Sequence, residues 1–202
     1  MDAIEPTTAS RKTIVACEVF ADELQAVPPP EGDADFVWLP AALHTDIGRL
    51  EREIERTLLL CRIKGTSDLF VLYGGACSPS MDAILKKYDA LRPEAGNCLD
   101  VLLGPLKTEA EDERAFVLTP GWVRAWPSIM KAMGWEAIDV RMNLGRYEGI
   151  IVYDAGIRPL TDEETIRFFD LTERYVDVRP LGLEHFAGVM KRLLNGNRSR
   201  AR

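Results

Sequence analysis

The 202-residue sequence is short of most features that announce a chemistry at sight. No apolar run approaches the ~20 residues that a membrane span needs, so no transmembrane helix is expected. No Cys-x-x-Cys pair occurs, which leaves zinc ribbons and thioredoxin-like redox motifs without support. The phosphate-cradling patterns Gly-x-x-x-x-Gly-Lys-Ser/Thr and Gly-x-Gly-x-x-Gly are missing, and so is the Gly-x-Ser-x-Gly elbow. Histidine is scarce: only His44 and His185 are present. Positive charge is outnumbered, 25 Lys and Arg against 32 Asp and Glu, and the formal net charge is −7. Such a balance gives no field that favours nucleic acid or an anionic membrane. The single basic block, "NRSRAR" at the end, reads as a frayed terminus. The opening "MDAIEPTTASRK" lacks the charged-then-apolar order of a signal peptide, so a cytoplasmic protein is expected. Its four cysteines would stay reduced there.

What is present suits a globular α/β protein. Hydrophobic residues make up 47% and charged residues 28%, enough to bury a core without staples. The expected organisation is one domain over 12–195, between a flexible segment 1–11 and a basic disordered tail 196–202. Short β-branched or apolar runs read as strands: "KTIVACEV", "DADFVWLPAALH", "SDLFVLYGG", "RAFVLT", "YEGIIVYDAG" and "VDVRPLG". Between them lie helical patterns. The clearest covers residues 45–65, where Ile47, Leu50, Ile54, Leu58 and Cys61 form one apolar stripe. Ser78 and Pro79 are expected to open a helix. "AGNCLDVLLG" is open between strand and helix, "KTEAEDER" between a loop and a fraying helix end, and "PGWVRAWPSIMKAMGW" reads as a helix interrupted near Pro127. Alternation of strands and helices predicts an α/β fold: a mostly parallel sheet with helices on both faces, in Rossmann-like layers. Two halves divided near residue 112 are conceivable, without a residue-level repeat to support them.

In a parallel sheet the carboxyl ends of the strands share one edge, where ligands bind. Cys17, His44, Cys77 and Asp154 each follow a predicted strand. Cys77 is expected just before a helix start, where backbone N–H groups and the helix dipole favour a thiolate. Gly74 and Gly75 allow a tight turn and the close approach of a ligand. Cys61 belongs to the core by its place on the helix stripe, and His185 is expected to be exposed. Asp154 serves either a ligand or the turn after it. The tryptophans at 122, 126 and 135 read as core or as the wall of a pocket for a planar ligand.

Several motifs, in order, resemble one family. They are "TIVACEVFADEL", "LPAALH" before a long amphipathic helix, "VLYGGAC", "NCLDVLLG" and "TPGW". The likeness, from about residue 12 to about residue 195, is to the proteins called domain of unknown function 1638. The resemblance implies an orphan α/β protein serving methyl transfer or cofactor metabolism, since some members are encoded near corrinoid-dependent methyltransferases. It also implies Cys17, His44, Cys77 and Cys98 as the recurrent residues. This chain departs from the pattern in two places. Gly96-Asn97 stand where a His-Asp pair is expected, and a tyrosine is expected one position later than Tyr73.

Two chemistries follow. In the first, Cys17, Cys77 and Cys98, with His44 or an outside ligand fourth, hold zinc or an iron-sulfur cluster. In the second, Cys77 is a metal-free nucleophile and His44 its base. A third reading is a non-catalytic accessory protein of a methyltransferase. The expected partners are thus a small molecule or metal cofactor, with no nucleic acid and no membrane.

Overall fold

The computed structural model describes residues 12–27, 34–112 and 114–196. The expectations for 1–11 and for the tail beyond Gly196 lie outside the described residues. The α/β reading holds: the strands are parallel and helices pack on them. They are divided between two sheets rather than running through one. The first sheet has the order β2-β1-β3-β4, with β1 Lys12–Cys17, β2 Ala34–Leu39, β3 Asp68–Leu72 and the two-residue β4 Ala90–Leu91. The second has the order β5-β6-β7, with β5 Ala115–Leu118, β6 Gly149–Asp154 and β7 Val176–Pro180. All pairings are parallel, with Ala16 beside Leu72 in one sheet and Leu118 beside Val152 in the other. The central strands β1, β3 and β6 are almost wholly buried, which explains their unbroken apolar runs.

The helices are α1 Ala21–Ala26, α2 Ile47–Ile63, α3 Met81–Lys87, α4 Cys98–Leu103, α5 Pro105–Asp112, α6 Pro120–Met133, α7 Ala137–Leu144, α8 Asp162–Thr172 and α9 Glu184–Asn195. The α2 stripe is buried at Leu50, Ile54, Leu58 and Cys61, and each such aliphatic side chain contributes roughly 1.5–3 kcal/mol. Ile47, expected on the stripe, is exposed because it stands in the first turn. "NCLDVLLG" is a helix because Asn97 and Asp100 close a capping box around its start. Residues 107–112 of "KTEAEDER" are helical, in α5. Helix α6 continues through Pro127, its buried face of Val123, Trp126 and Ile129 spanning the missing hydrogen bond. Helix α7 has no amphipathic stripe, so periodicity gives no sign of it; its own capping box, Glu136 with Asp139, starts it.

The two sheets meet over one continuous core. Helix α6 leaves β5 and leans on the loops at the carboxyl edge of the first sheet. A Cβ at Gly121 would stand 2.6 Å from the Val19 carbonyl oxygen, so only glycine permits this approach. Phe186 of α9 stacks on Phe20, ring centroids 6.2 Å apart. Arg124 ties the seam together. It donates to Glu164 at 2.8 Å, to Asp22 at 3.2 Å and to the carbonyls of Arg158 and Pro159. This arginine holds the Glu164 carboxyl down at about 2.

Glu23 of α1 sits in the same seam. It is 2% exposed, and its Oε2 is buried without a partner. Burial pushes its carboxyl up to about 7, with Asp22 and Asp154 adding to the rise and Arg124 opposing it. The unfolded chain would ionise Glu23 near 4.5, while the folded chain keeps the proton until about 7. Stability should therefore fall as pH rises between these values, by roughly 3 kcal/mol from this group. Urea unfolding from pH 4 to 8 is expected to show that decline, and Glu23→Gln to flatten it. A pH profile unchanged by the substitution would refute the assignment.

Candidate functional site

Three of the four cysteines converge at the carboxyl edge of the first sheet. Cys17 is the last residue of β1 and is buried. Cys77 ends a 3-10 turn, Gly75–Cys77, that follows β3. Cys98 opens α4. Between them stands Tyr73, 4% exposed, at the end of β3. Its hydroxyl proton is held far more tightly than usual, by burial first and then by the nearby Cys17, Cys77 and Cys98 thiols. This tyrosine is thus the common neighbour of all three sulfurs.

The reason they meet is backbone contact. Gly75 N–H donates to the Ala95 carbonyl at 2.9 Å, and Ala76 N–H to the Gly96 carbonyl at 2.7 Å. A Cβ at Gly74 would collide with Asn97 Cα and the Gly96 carbonyl. One at Gly75 would stand 2.7 Å from the Arg92 guanidinium. The close approach that these glycines permit is therefore made by the chain's own 95–97 segment. That segment delivers Cys98 to Cys77. The Gly96-Asn97 pair, a departure from the family pattern, serves here as a contact and a helix cap: Asn97 Oδ1 accepts from Leu99 N–H and Asp100 N–H.

The electrostatics differ from the expectation for Cys77. Helix α3 begins at Met81, four residues later than Cys77, because Ser78 Oγ turns to Glu51 at 2.5 Å and accepts from Ser80 N–H. The thiol therefore does not stand at the start of α3. Burial raises its pKa, only partly offset by Arg92. Cys17 is pushed up to about 11, chiefly by burial. Cys98 is half-buried as a residue, yet desolvation and the Cys17 and Cys77 thiols raise its own thiol well above the ordinary range. The free chain therefore carries three neutral thiols at neutral pH.

Two donors in the site lack partners. The Tyr73 hydroxyl stands beside Cys17, and the Trp122 indole N–H beside Cys98, but neither makes a hydrogen bond of good geometry. Thr119, fully buried at the end of β5, is also unpartnered. Native interiors rarely leave such groups unsatisfied, and a ligand or ion is one common reason. Trp122 stands where the sequence reading of core or pocket wall allows it, while Tyr73 is not legible as a site residue; its place at the end of β3 is the signal that could have found it.

His44 is held by contacts of its own. β2 ends at Leu39, and Pro40 starts a 3-10 turn, Ala41–Thr45, that carries His44. Its Nδ1 is bonded to the Ala41 carbonyl, and its ring packs edge-on against Trp122 at 5.0 Å. The residue is exposed overall, and desolvation of the ring lowers its pKa. Asp154 spends its carboxylate on its own loop, accepting from Gly156 N–H at 2.7 Å and Leu160 N–H at 3.0 Å. His185 is half-buried rather than exposed, because its ring lies over Gly104 and its Nε2 stands 3.3 Å from the Asp100 carbonyl. It borders a cleft of about 800 Å³ whose wall includes Arg92, Gly96 and Asp100, the outer side of the 95–97 segment. Among the described residues, no three His, Cys, Asp or Glu side chains are already gathered as a metal-binding group. No helix of the described residues is long and apolar enough to cross a membrane.

Because the 95–97 segment touches Gly74 through backbone, the contact cannot yield by moving a side chain. Gly74→Ala is expected to cost about 1–3 kcal/mol, the scale of overpacking in a filled interior. Urea unfolding measures this, and an unchanged midpoint would show that the contact is not fixed.

A family model described as a protein of unknown function, DUF1638, matches residues 38–190. A search of curated proteins finds no match. Among solved structures, a ketoreductase domain from the bacillaene assembly line aligns at 15% identity and a TM-score of 0.25. The alignment covers 89% of this chain and 53% of that one. At that score the likeness carries no argument, and the chain spans about half the length of that structure.

Proposed function

The chain belongs to the DUF1638 family of proteins of unknown function, and from that premise we propose that it binds a soft metal ion or cluster, zinc or iron-sulfur, through Cys17, Cys77 and Cys98. The observation that carries the reading is the Tyr73 hydroxyl: buried, without a well-formed hydrogen bond, set against Cys17 and neighboured by all three thiols. Three thiols and two orphaned donors are a poor filling for a protein interior, but they suit a thiolate-ligated cation. Metal binding would replace the thiol protons. The Tyr73 O–H and Trp122 N–H could then donate to thiolate sulfur, as donors around metal sites do. Side-chain rotation about the Cα–Cβ bonds must close the three sulfurs on the metal, and an outside ligand would complete four-coordination.

Metal-free thiol catalysis is supported less. A nucleophilic cysteine needs a lowered pKa and a base in reach. Cys77 is raised, and the contacts of His44 run to Ala41 and Trp122. The link to corrinoid-dependent methyl transfer rests on the family resemblance, and no side chain described above argues for it.

Protein purified without oxygen is expected to carry about one zinc or one iron-sulfur cluster per chain. Serine at Cys17, Cys77 or Cys98 should lower that content severalfold, while Cys61→Ala should keep it. Zinc affinity should rise steeply between about pH 6 and 8, because each thiol must lose a proton held above neutrality. Metal-free protein with no thiolate absorption after zinc addition, or loss in Cys61→Ala equal to that in Cys77→Ser, would overturn the proposal.

A further inference from the structure

The second sheet has its own carboxyl edge, and a pocket of about 320 Å³ lies beside it. Helix α6, the loop between β6 and α8, and α8 form its walls. Its apolar lining includes Val123, Trp126 and Phe168. Trp126 meets Phe168 edge-on at 5.8 Å and Phe116 at 5.7 Å, so the aromatic floor is fixed from both sides. The rim carries Arg124, Arg158 and Arg167, with Glu164 as the one acidic lining residue. Glu164 is already neutralised by the two-pronged contact with Arg124. Arg158 and Arg167 are both exposed, and Arg167 has only a 3.5 Å contact with exposed Glu163, an ion pair of little strength in water. In a chain of net charge −7 this is a locally cationic mouth over an apolar floor.

The loop that presents Arg158 is built for the purpose. Asp154, the last residue of β6, gathers Gly156 and Leu160 N–H onto its carboxylate. Gly156 takes a left-handed φ of +71° to make the turn. Arg124 then pins the Arg158 and Pro159 carbonyls. The backbone of Arg158 is thereby fixed on a loop at the edge where parallel sheets bind ligands. Asp154 acts as a positioning residue for it.

We propose that this pocket binds a small organic anion, a carboxylate or phosphate with a planar or apolar body, at a site separate from the three thiols. Arg158 and Arg167 take the anionic group, and Trp126 and Phe168 take the body. The Trp126 indole N–H is buried without a partner and would be satisfied by a ligand acceptor that reaches it. The site does not depend on metal binding.

The test uses 15N-labelled full-length protein titrated with phenyl phosphate, benzoate, phenol and inorganic phosphate. The four tryptophan indole N–H signals are followed, with that of Trp126 assigned from Trp126→Phe. Phenyl phosphate or benzoate is expected to shift the Trp126 signal saturably, with phenol and inorganic phosphate each at least about tenfold weaker. The double variant Arg158→Ala, Arg167→Ala should weaken the anion by about tenfold or more while its other indole signals stay in place, which reports an intact fold. Absence of a Trp126 shift at millimolar probe, equal binding of phenol, or unchanged affinity in the folded double variant would each overturn the proposal. Metal content is unaffected by any of these outcomes, so the thiol site stands or falls by itself.

Discussion

The thiol cluster depends on one backbone contact. Gly74 and the 96–97 backbone lie so close that no side chain fits between them, and two N–H···O bonds from Gly75 and Ala76 close the join. Without it, Cys98 would have no reason to meet Cys77, since twenty residues, helix α3 and the edge strand β4 separate them. The glycines are at a strand-to-helix turn, a place where a ligand's approach is the usual explanation. Here the approaching body belongs to the same chain, and its arrival creates a pocket of sulfur and unpartnered donors. Burial then keeps each thiol protonated and neutral.

Much of the architecture was readable from pattern. The apolar runs of β1, β3 and β6 and the stripe of α2 are long enough to report period directly, and alternation of element types implied parallel pairing. What escaped was set by features without periodicity. α7 starts at a capping box and buries only Val140 and Leu144. β4 is two residues long and exists because β3 is there to pair with. The division into two sheets leaves no trace in hydrophobic pattern, since β5 and β6 look the same whether or not β4 continues beside them. The gap near residue 112 was visible as polarity, but polarity alone does not separate a helix from a loop.

The site was legible in part for the same reason. Strand ends can be counted from sequence, and they gave Cys17, Cys77 and Asp154. Cys98 came from the family likeness, and the structure sets it beside Cys17 and Cys77 as an interacting neighbour. The Cys77 thiol departs from the sequence expectation because Ser78 bonds Glu51 and Ser80 rather than opening the helix itself. His44 was placed at a strand end, but Pro40 diverts the chain into a tight turn that points the imidazole at Trp122. Tyr73 looked like a mere strand residue. Only the fold reveals that its hydroxyl is surrounded by sulfur.

Arg124 has a mechanical consequence. One guanidinium grips α1 through Asp22, α8 through Glu164 and the loop after β6 through two carbonyls. Of these partners only Asp22 belongs to the first sheet's half, so drawing the sheets apart would strip the 3.2 Å Arg124–Asp22 pair and leave the contacts to Glu164 and the loop in place. The two halves are held by packing, Gly121 against the Val19 carbonyl and Phe186 on Phe20, with this one ion pair beside it, so widening the seam would first cost apolar burial.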